Sequence, residues 1–281
     1  MKRLLGCFAH PDDEVLGPGG TIAHYAKAGV HIEWVCATRG EAGEIADPSL
    51  ATPETLAQVR EAEMLCAAQT LGIRHVHFLG YRDSGMPGTE DNNHPQAFMN
   101  APAAQVVPQL VAIIRQVRPH VILTFEPWGG YGHPDHIAIN RHTLAAVAAA
   151  ADPTYHPNLG TAWDTPRLFY ELLPVSVFEN MRARMAARGM DTSWFERIEE
   201  RREKGWPDDQ VHCILDVSAT VTHKWAALLC HRTQFGPDNL FRRLPEEEMK
   251  ALLSREYFAL VRPTVSQEFR LNDLFEGLQA T

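Results

Sequence analysis

The sequence predicts an α/β fold, a Rossmann-like parallel-sheet sandwich with an elaborated C-terminal part. Three observations lead there. Through the first half, short apolar runs of strand length alternate with longer helical patterns, as right-handed βαβ crossovers require. Polar residues and glycines gather directly after four of those runs, where the ligand crevice of an open parallel sheet lies. The chain has 281 residues, 45% hydrophobic and 22% charged, enough to bury a large core without staples.

The elements follow in order. Residues 4–9 read as a buried strand. Residues 20–29 form a short helix with Ile22, Ala23 and Ala26 on one face. Residues 31–37 are a second strand. A helix over 53–71 ends at Gly72, a C-terminal cap. Residues 76–79 are a third strand. A helix over 103–117 carries Val106, Leu110, Ile113 and Ile114 at helical spacing. Residues 121–125 are a fourth strand, and a helix runs from near Pro134 to Ala151. After a linker over 152–166 come a strand at 168–172, a charged helical stretch at 177–204 and a strand at 211–217. Helices at 218–232 and 245–255 and a last strand at 257–261 complete the chain. Composition marks no sharp boundary, so 1–281 reads as a single domain: a motif-bearing core over 1–150 and an elaboration over 151–281.

The formal net charge is -9, with a pI near 5.8. That argues against a nucleic-acid partner, which needs a basic face. No run approaches the ~20 apolar residues of a membrane span. The five cysteines, Cys7, Cys36, Cys66, Cys213 and Cys230, contain no C-x-x-C pair and are odd in number. A disulfide framework is therefore not expected, and a reducing cytoplasm is.

Chemistry concentrates in two stretches. The first strand runs into "AHPDDE", placing His10, Asp12, Asp13 and Glu14 at its end. Adjacent like charges repel unless a positive object sits among them, and a divalent cation is such an object. His10 and Asp13, three apart in a turn opening into a helix, can aim at one point. Catalytic zinc takes three N or O ligands and leaves a position for water, so a third ligand should come from another strand end. "GGYGHPDHIAIN", after the fourth strand, repeats the His-Pro-Asp grammar and offers His133 and His136. Spacing alone does not choose between them. Fe(II) accepts a similar set of two histidines and one carboxylate. The glycines of "GPGG" at 17–20 do not make a dinucleotide site: Ile22 stands where G-x-G-x-x-G needs a glycine, and the acids would repel a pyrophosphate.

These motifs resemble the PIG-L or LmbE-like zinc de-N-acetylases. "TRGEAG" at 38–43, "REAE" at 60–63 and "GYRDSGM" at 80–86 agree. "GGYGHPDH" is similar to the mycothiol-pathway deacetylase and amidase branch, and "KWAALLCHRTQF" at 224–235 places His231 and Gln234 in the family's His-x-x-Gln element. The resemblance implies zinc held by His10, Asp13 and His136, with Asp12 as general base. His133 would stabilise the oxyanion or protonate the leaving amine, and Asp135 would hold it charged and correctly turned. Tyr131 would reach the amide carbonyl, and Arg60 would bind the substrate. Asp83 and Ser84 could form a turn, but their place after the third strand suits binding a sugar hydroxyl. Loops at 38–46 and 80–100 would shape the pocket. The implied partner is a small amino-sugar, an N-acetylglucosamine-type glycoside that loses its acetyl group to a zinc-bound water. An amidase acting on a thiol conjugate, a metal-containing sugar or nucleotide binder without turnover, and a homo-oligomeric assembly stay open.

Overall fold

The structure, a computed structural model, describes residues 1–193, 195, 206–237, 239, 242 and 244–279. A seven-stranded sheet has the order β3-β2-β1-β4-β5-β7-β6. Its strands are β1 (Arg3–Phe8), β2 (His31–Cys36), β3 (His75–Phe78), β4 (Val121–Phe125), β5 (Arg167–Leu172), β6 (Cys213–Asp216) and β7 (Arg255–Arg262). The first five are parallel. β5–β7 and β7–β6 are antiparallel, so the wholly parallel sheet expected from the first half becomes a mixed one. An apolar run identifies a strand but carries no direction, and β7 enters without a helical crossover.

The helices are α1 (Asp13–Leu16), α2 (Gly19–Lys27), α3 (Leu56–Leu71), α4 (Ala103–Val117), the single turn α5 (Gly129–Gly132), α6 (Pro134–Ala151), α7 (Val175–Ala186), α8 (Val221–Leu228) and α9 (Glu246–Leu252). α2, α3 and α8 pack together, and α4 packs on α6, giving the two helical layers that right-handed crossovers impose. α3 begins at Leu56 rather than 53 and ends at Gly72, whose φ of 85° forms the left-handed cap. α7 covers the start of the charged stretch; the portion over 196–204 lies outside the described residues. β1 and β4 are the buried centre of the sheet. There Phe8 stacks on Trp34 at 4.5 Å and meets Phe125 edge-on at 4.7 Å, each ring contributing about 1.5–3 kcal/mol by burial.

Between β3 and β4 the chain crosses back over β1. Crossovers therefore leave β1 and β4 in opposite directions, and a crevice opens at their carboxyl ends. The Gly-rich turn before α2 has a different job. Glu256 on β7 accepts from the N–H groups of Gly20 (2.8 Å) and Thr21 (2.7 Å), and Lys224 bridges Glu256 and the Gly17 carbonyl, each at 2.6 Å. The helix start that could have received a phosphate holds a protein carboxylate.

The cysteine expectation is overturned at one pair. Cys66 on α3 is joined to Cys230 just after α8, 164 residues away in sequence. Cys7, Cys36 and Cys213 are free and buried. The pair removes the cysteine argument for a reducing compartment. No helix among the described residues is long and apolar enough to cross a membrane. Thiol titration of denatured protein should give three free thiols without reductant and five after reduction; five in both states would disprove the Cys66–Cys230 bond.

Candidate metal centre

The two motifs meet in the crevice because each lies directly beyond a central strand. His10 and Asp13 follow β1; His133 caps α6 after β4, and Asp135 and His136 lie in that helix's first turn. Glycine is required beneath His136. At Gly129, φ is 67° and a Cβ would come 2.6 Å from the His136 Cβ.

The Nδ1 of His10 and Nε2 of His136 are 3.0 Å apart. Asp13 lies 3.4 Å from His136 Nε2 and 3.9 Å from His10 Nδ1, through Oδ1 and Oδ2 respectively. Ligands about 2.0–2.1 Å from a tetrahedral ion stand roughly 3.3 Å apart; the His10–His136 and Asp13–His136 separations match that spacing, while Asp13 approaches His10 through its other oxygen at 3.9 Å. The remaining atom of each group is already occupied. His136 Nδ1 donates to the Gly129 carbonyl at 3.1 Å. His10 Nε2 lies 3.2 Å from Asp135 and 3.4 Å from Asp83. Asp13 Oδ2 accepts from the N–H groups of Ala9 (2.9 Å) and His10 (2.8 Å). Such outer partners orient metal ligands and fix their tautomers. Phe125 stacks on His136 at 3.9 Å and holds its plane. Ligand atoms of His133 also gather with those of His10 and His136, and those of Asp83 and Asp135 with His10. Of the two His133 nitrogens, Nδ1 accepts from the Asp135 N–H, and Nε2 lies 4.0 Å from Asp83 Oδ1.

Electrostatics points the same way. Burial opposes a proton on His10, yet Asp83, Asp135 and Asp13 outweigh it and raise the imidazole well above its usual range. Burial, opposed by His10 and aided by Asp12, pushes Asp13 up to about 7. The cluster thus retains a proton where a cation would sit.

Asp12 stands beside the ligands and is held differently. Its φ of 113° lies in the left-handed region, a strain of about 1–3 kcal/mol for a non-glycine residue. Arg60 donates to Asp12 Oδ2 at 3.1 Å, to the Pro11 carbonyl at 2.6 Å and to the Gly40 carbonyl at 3.0 Å. Burial raises the Asp12 carboxyl against the pull of Arg60. A surface ion pair between Arg60 and Glu63 does not form: Arg60 is buried, and Glu63 accepts from Thr233.

The geometry corrects two sequence expectations. The Asp135 carboxylate does not grip His133. It accepts from the N–H of Ser84 at 2.8 Å and from its hydroxyl, and faces His10. The Asp135 N–H instead donates to His133 Nδ1 at 3.2 Å, which leaves the ring proton on Nε2. Burial and the neighbouring His10 push His133 down to about 3, so it is a neutral donor rather than a cation. Ser84, fully buried, is spent on Asp135 and on the Met99 N–H rather than exposed to a ligand.

A cavity of about 680 Å³ opens over this centre, lined by His10, Asp12, Arg60, Asp83, Tyr131 and His133. The loop over 42–46 and Met86 border it, as the sequence suggested, but Gln234, Phe235 and Asn239 join from the C-terminal half. Burial and the nearby Asp13 and Asp12 raise Tyr131 well above its usual value, keeping its phenol protonated. Glu126, unremarked in the sequence, accepts from the N–H groups of Trp128 (2.5 Å) and Gly130 (2.8 Å) and so shapes the Tyr131 loop.

The profile of the PIG-L family, described as GlcNAc-PI de-N-acetylase, matches residues 5–147. A protein of Geodermatophilus obscurus named 1D-myo-inositol 2-acetamido-2-deoxy-alpha-D-glucopyranoside deacetylase is 38% identical, over 99% of this chain and 98% of its own. A Rhodococcus erythropolis protein of the same name is 38% identical with the same coverage. Among solved structures, N,N'-diacetylchitobiose deacetylase of Pyrococcus horikoshii superposes with a TM-score of 0.64 at 22% identity, over 99% of this chain and 86% of its own. The 4-carboxy-2-hydroxymuconate hydratase of Pseudomonas putida superposes at 0.63 and 20% identity, over 95% and 98%. A hydratase and a deacetylase share this fold, so the structural likeness speaks for the fold alone.

Calorimetry on metal-free protein should find one zinc per chain, bound with proton release. Because His10 and Asp13 must both lose protons to ligate, affinity should rise with pH through about 7 and fall below it. His136→Ala should lose at least about 10-fold in affinity; unchanged binding would remove His136 from the ligand set.

Proposed function

Because the chain belongs to the PIG-L family, we propose that it hydrolyses the acetamido group of an N-acetylglucosaminyl glycoside, with an inositol as aglycone, releasing acetate and the free amine. The observation that carries this reading is Asp12: a non-ligating carboxylate beside the convergent atoms of His10, Asp13 and His136, at the floor of a sugar-sized cavity. The inositol aglycone rests on the full-length relatives of that name.

Zinc is the proposed metal, since two imidazoles and a carboxylate suit it, although Fe(II) accepts the same set. When bound, it supplies a Lewis acid and lowers the pKa of a coordinated water towards ~7. The chain's own residues do the rest. Asp12 takes the proton of the attacking water. His133 presents Nε2–H, and Tyr131 its protonated phenol, to the carbonyl oxygen as charge develops there, each donor typically worth ~3 kcal/mol. The amine leaves only once protonated, and Asp12, holding the proton just taken, returns it as the C–N bond breaks. Asp135 acts at one remove, through the orientation of His10 and the N–H it gives His133. Arg60 and Asp83 line the cavity and are proposed to meet the sugar hydroxyls, Arg60 with whatever donor capacity Asp12 leaves.

The test is acetate release from the glucosaminyl-inositol and from simpler N-acetylglucosaminides, with a chelator control and readdition of Zn(II) or Fe(II). Asp12→Asn should lower kcat by about 10²- to 10⁴-fold while keeping one metal per chain. Absence of acetate from every glycoside, in metal-loaded protein, would overturn the reading.

A further inference from the structure

We propose that Glu14 and His231 form a positioning pair that holds Asp12 in its left-handed conformation and thereby sets kcat; the inference rests on Asp12 acting as the base. The carboxylate of Glu14 joins the turn after β1 to the segment that follows α8. Its Oε2 accepts the Asp12 N–H at 3.0 Å, and its Oε1 accepts from His231 Nε2 at 2.5 Å. Glu14 and His231 are both fully buried. Asp12 is thus gripped twice, at its backbone by Glu14 and at its carboxylate by Arg60. An extended or helical Asp12 would turn its N–H away from Glu14, so the φ of 113° and the Glu14 contact belong together.

His231 can serve as a fixed support because its own segment is tied down on both sides. Cys230, the preceding residue, is bonded to Cys66 on α3. Thr233, two residues on, gives its N–H (2.8 Å) and its hydroxyl (2.6 Å) to Glu63 on the same helix. That helix also carries Arg60. Both grips on Asp12 therefore trace to α3, one directly and one through the 230–233 segment. The Nδ1 of His231 is buried with no hydrogen-bond partner. Nε2 is therefore the atom through which the ring acts, donating its N–H to Glu14. Glutamine, whose amide nitrogen can take the place of Nε2, supplies the same donor; leucine supplies none.

The experiment compares His231→Gln and His231→Leu in the zinc-loaded full chain, with kcat, KM, zinc per chain and crystal structures as readouts. His231→Leu should lose about 10- to 100-fold in kcat, with KM within about twofold and zinc retained at one per chain, and its Asp12 φ should leave the left-handed region. His231→Gln should hold kcat within about threefold of wild type. A merely structural weld would instead lower thermal stability while leaving kcat and the Asp12 φ in place, and that result overturns the proposal, as does a His231→Gln variant as slow as His231→Leu. Should His231→Leu fail to fold, Glu14→Asp decides: it keeps the charge but withdraws the acceptor from the Asp12 N–H, so kcat should fall at least about 10-fold, and wild-type kcat would refute the pair. If wild-type protein releases no acetate, the catalytic reading has failed, and the Asp12 φ in the variant crystals still decides whether the pair holds that residue.

Discussion

Five carboxylates, those of Asp12, Asp13, Glu14, Asp83 and Asp135, converge at the ends of β1, β3 and β4, where water is largely excluded. Like charges 4 Å apart repel by about 4 kcal/mol at an effective dielectric near 20, so the arrangement folds only if each charge is answered. The answers are specific. Asp12 has Arg60, Glu14 has His231, Asp135 has Ser84, and Asp83 has the N–H of Gly85 at 2.8 Å together with His10. Asp13 accepts two backbone N–H groups through one oxygen, and its other oxygen faces His136. The unanswered charge lies between Asp13, His10 and His136, where neighbouring acids lift His10 against its burial, and burial with Asp12 lifts Asp13, toward protonation. A divalent cation at that point completes the balance, and the remaining contacts serve to keep the acids apart until it binds.

The scaffold accounts for how so much charge is brought together. Only a crevice beyond β1 and β4 lets two loops from distant parts of the chain face one point without burying either backbone. The C-terminal half then closes that crevice. Lys224 and Glu256 lock the turn after the first motif, and Gln234 with Phe235 walls the cavity. A chain ending after β5 would keep every proposed metal ligand but lose His231, the Glu256 cap and one wall of the pocket. The elaboration belongs to the site as much as the motif-bearing core does.

What could be read in advance follows from how local the signal is. β1 and β4 were legible because an apolar run stops abruptly at charge, and Gly72 marked the end of α3 through a single residue. The convergence of the two His-Pro-Asp stretches was legible because strand ends in a parallel sheet share one edge. The rest was set by partners far away in sequence. Nothing near Asp135 announces that its carboxylate belongs to Ser84 and His10 while only its N–H reaches His133. Nothing near Cys66 points to Cys230, 164 residues away. Nor does the local pattern around β7 reveal that it runs antiparallel to β5. Glu126 directly follows β4, and its grip on the Tyr131 loop runs through the N–H groups of Trp128 and Gly130, which no side-chain pattern marks.

The shared fold of a deacetylase and a hydratase narrows where chemistry can be encoded. It is not in the sheet, whose buried strands could serve either reaction, but in the protonation states imposed on a few side chains. Here those states are set by contacts one step removed from the reacting atoms. The Asp135 N–H directs His133 to keep its proton on Nε2 and so makes it a donor. Burial and two acids keep Tyr131 a phenol. Arg60 holds one oxygen of Asp12, whose carboxyl burial raises against that pull. Change those supports and the same ligand set could still hold a metal yet lack a base or a donor. Metal binding and hydrolysis are therefore separable properties of this crevice, the first proposed to rest on His10, Asp13 and His136 and the second on what surrounds them.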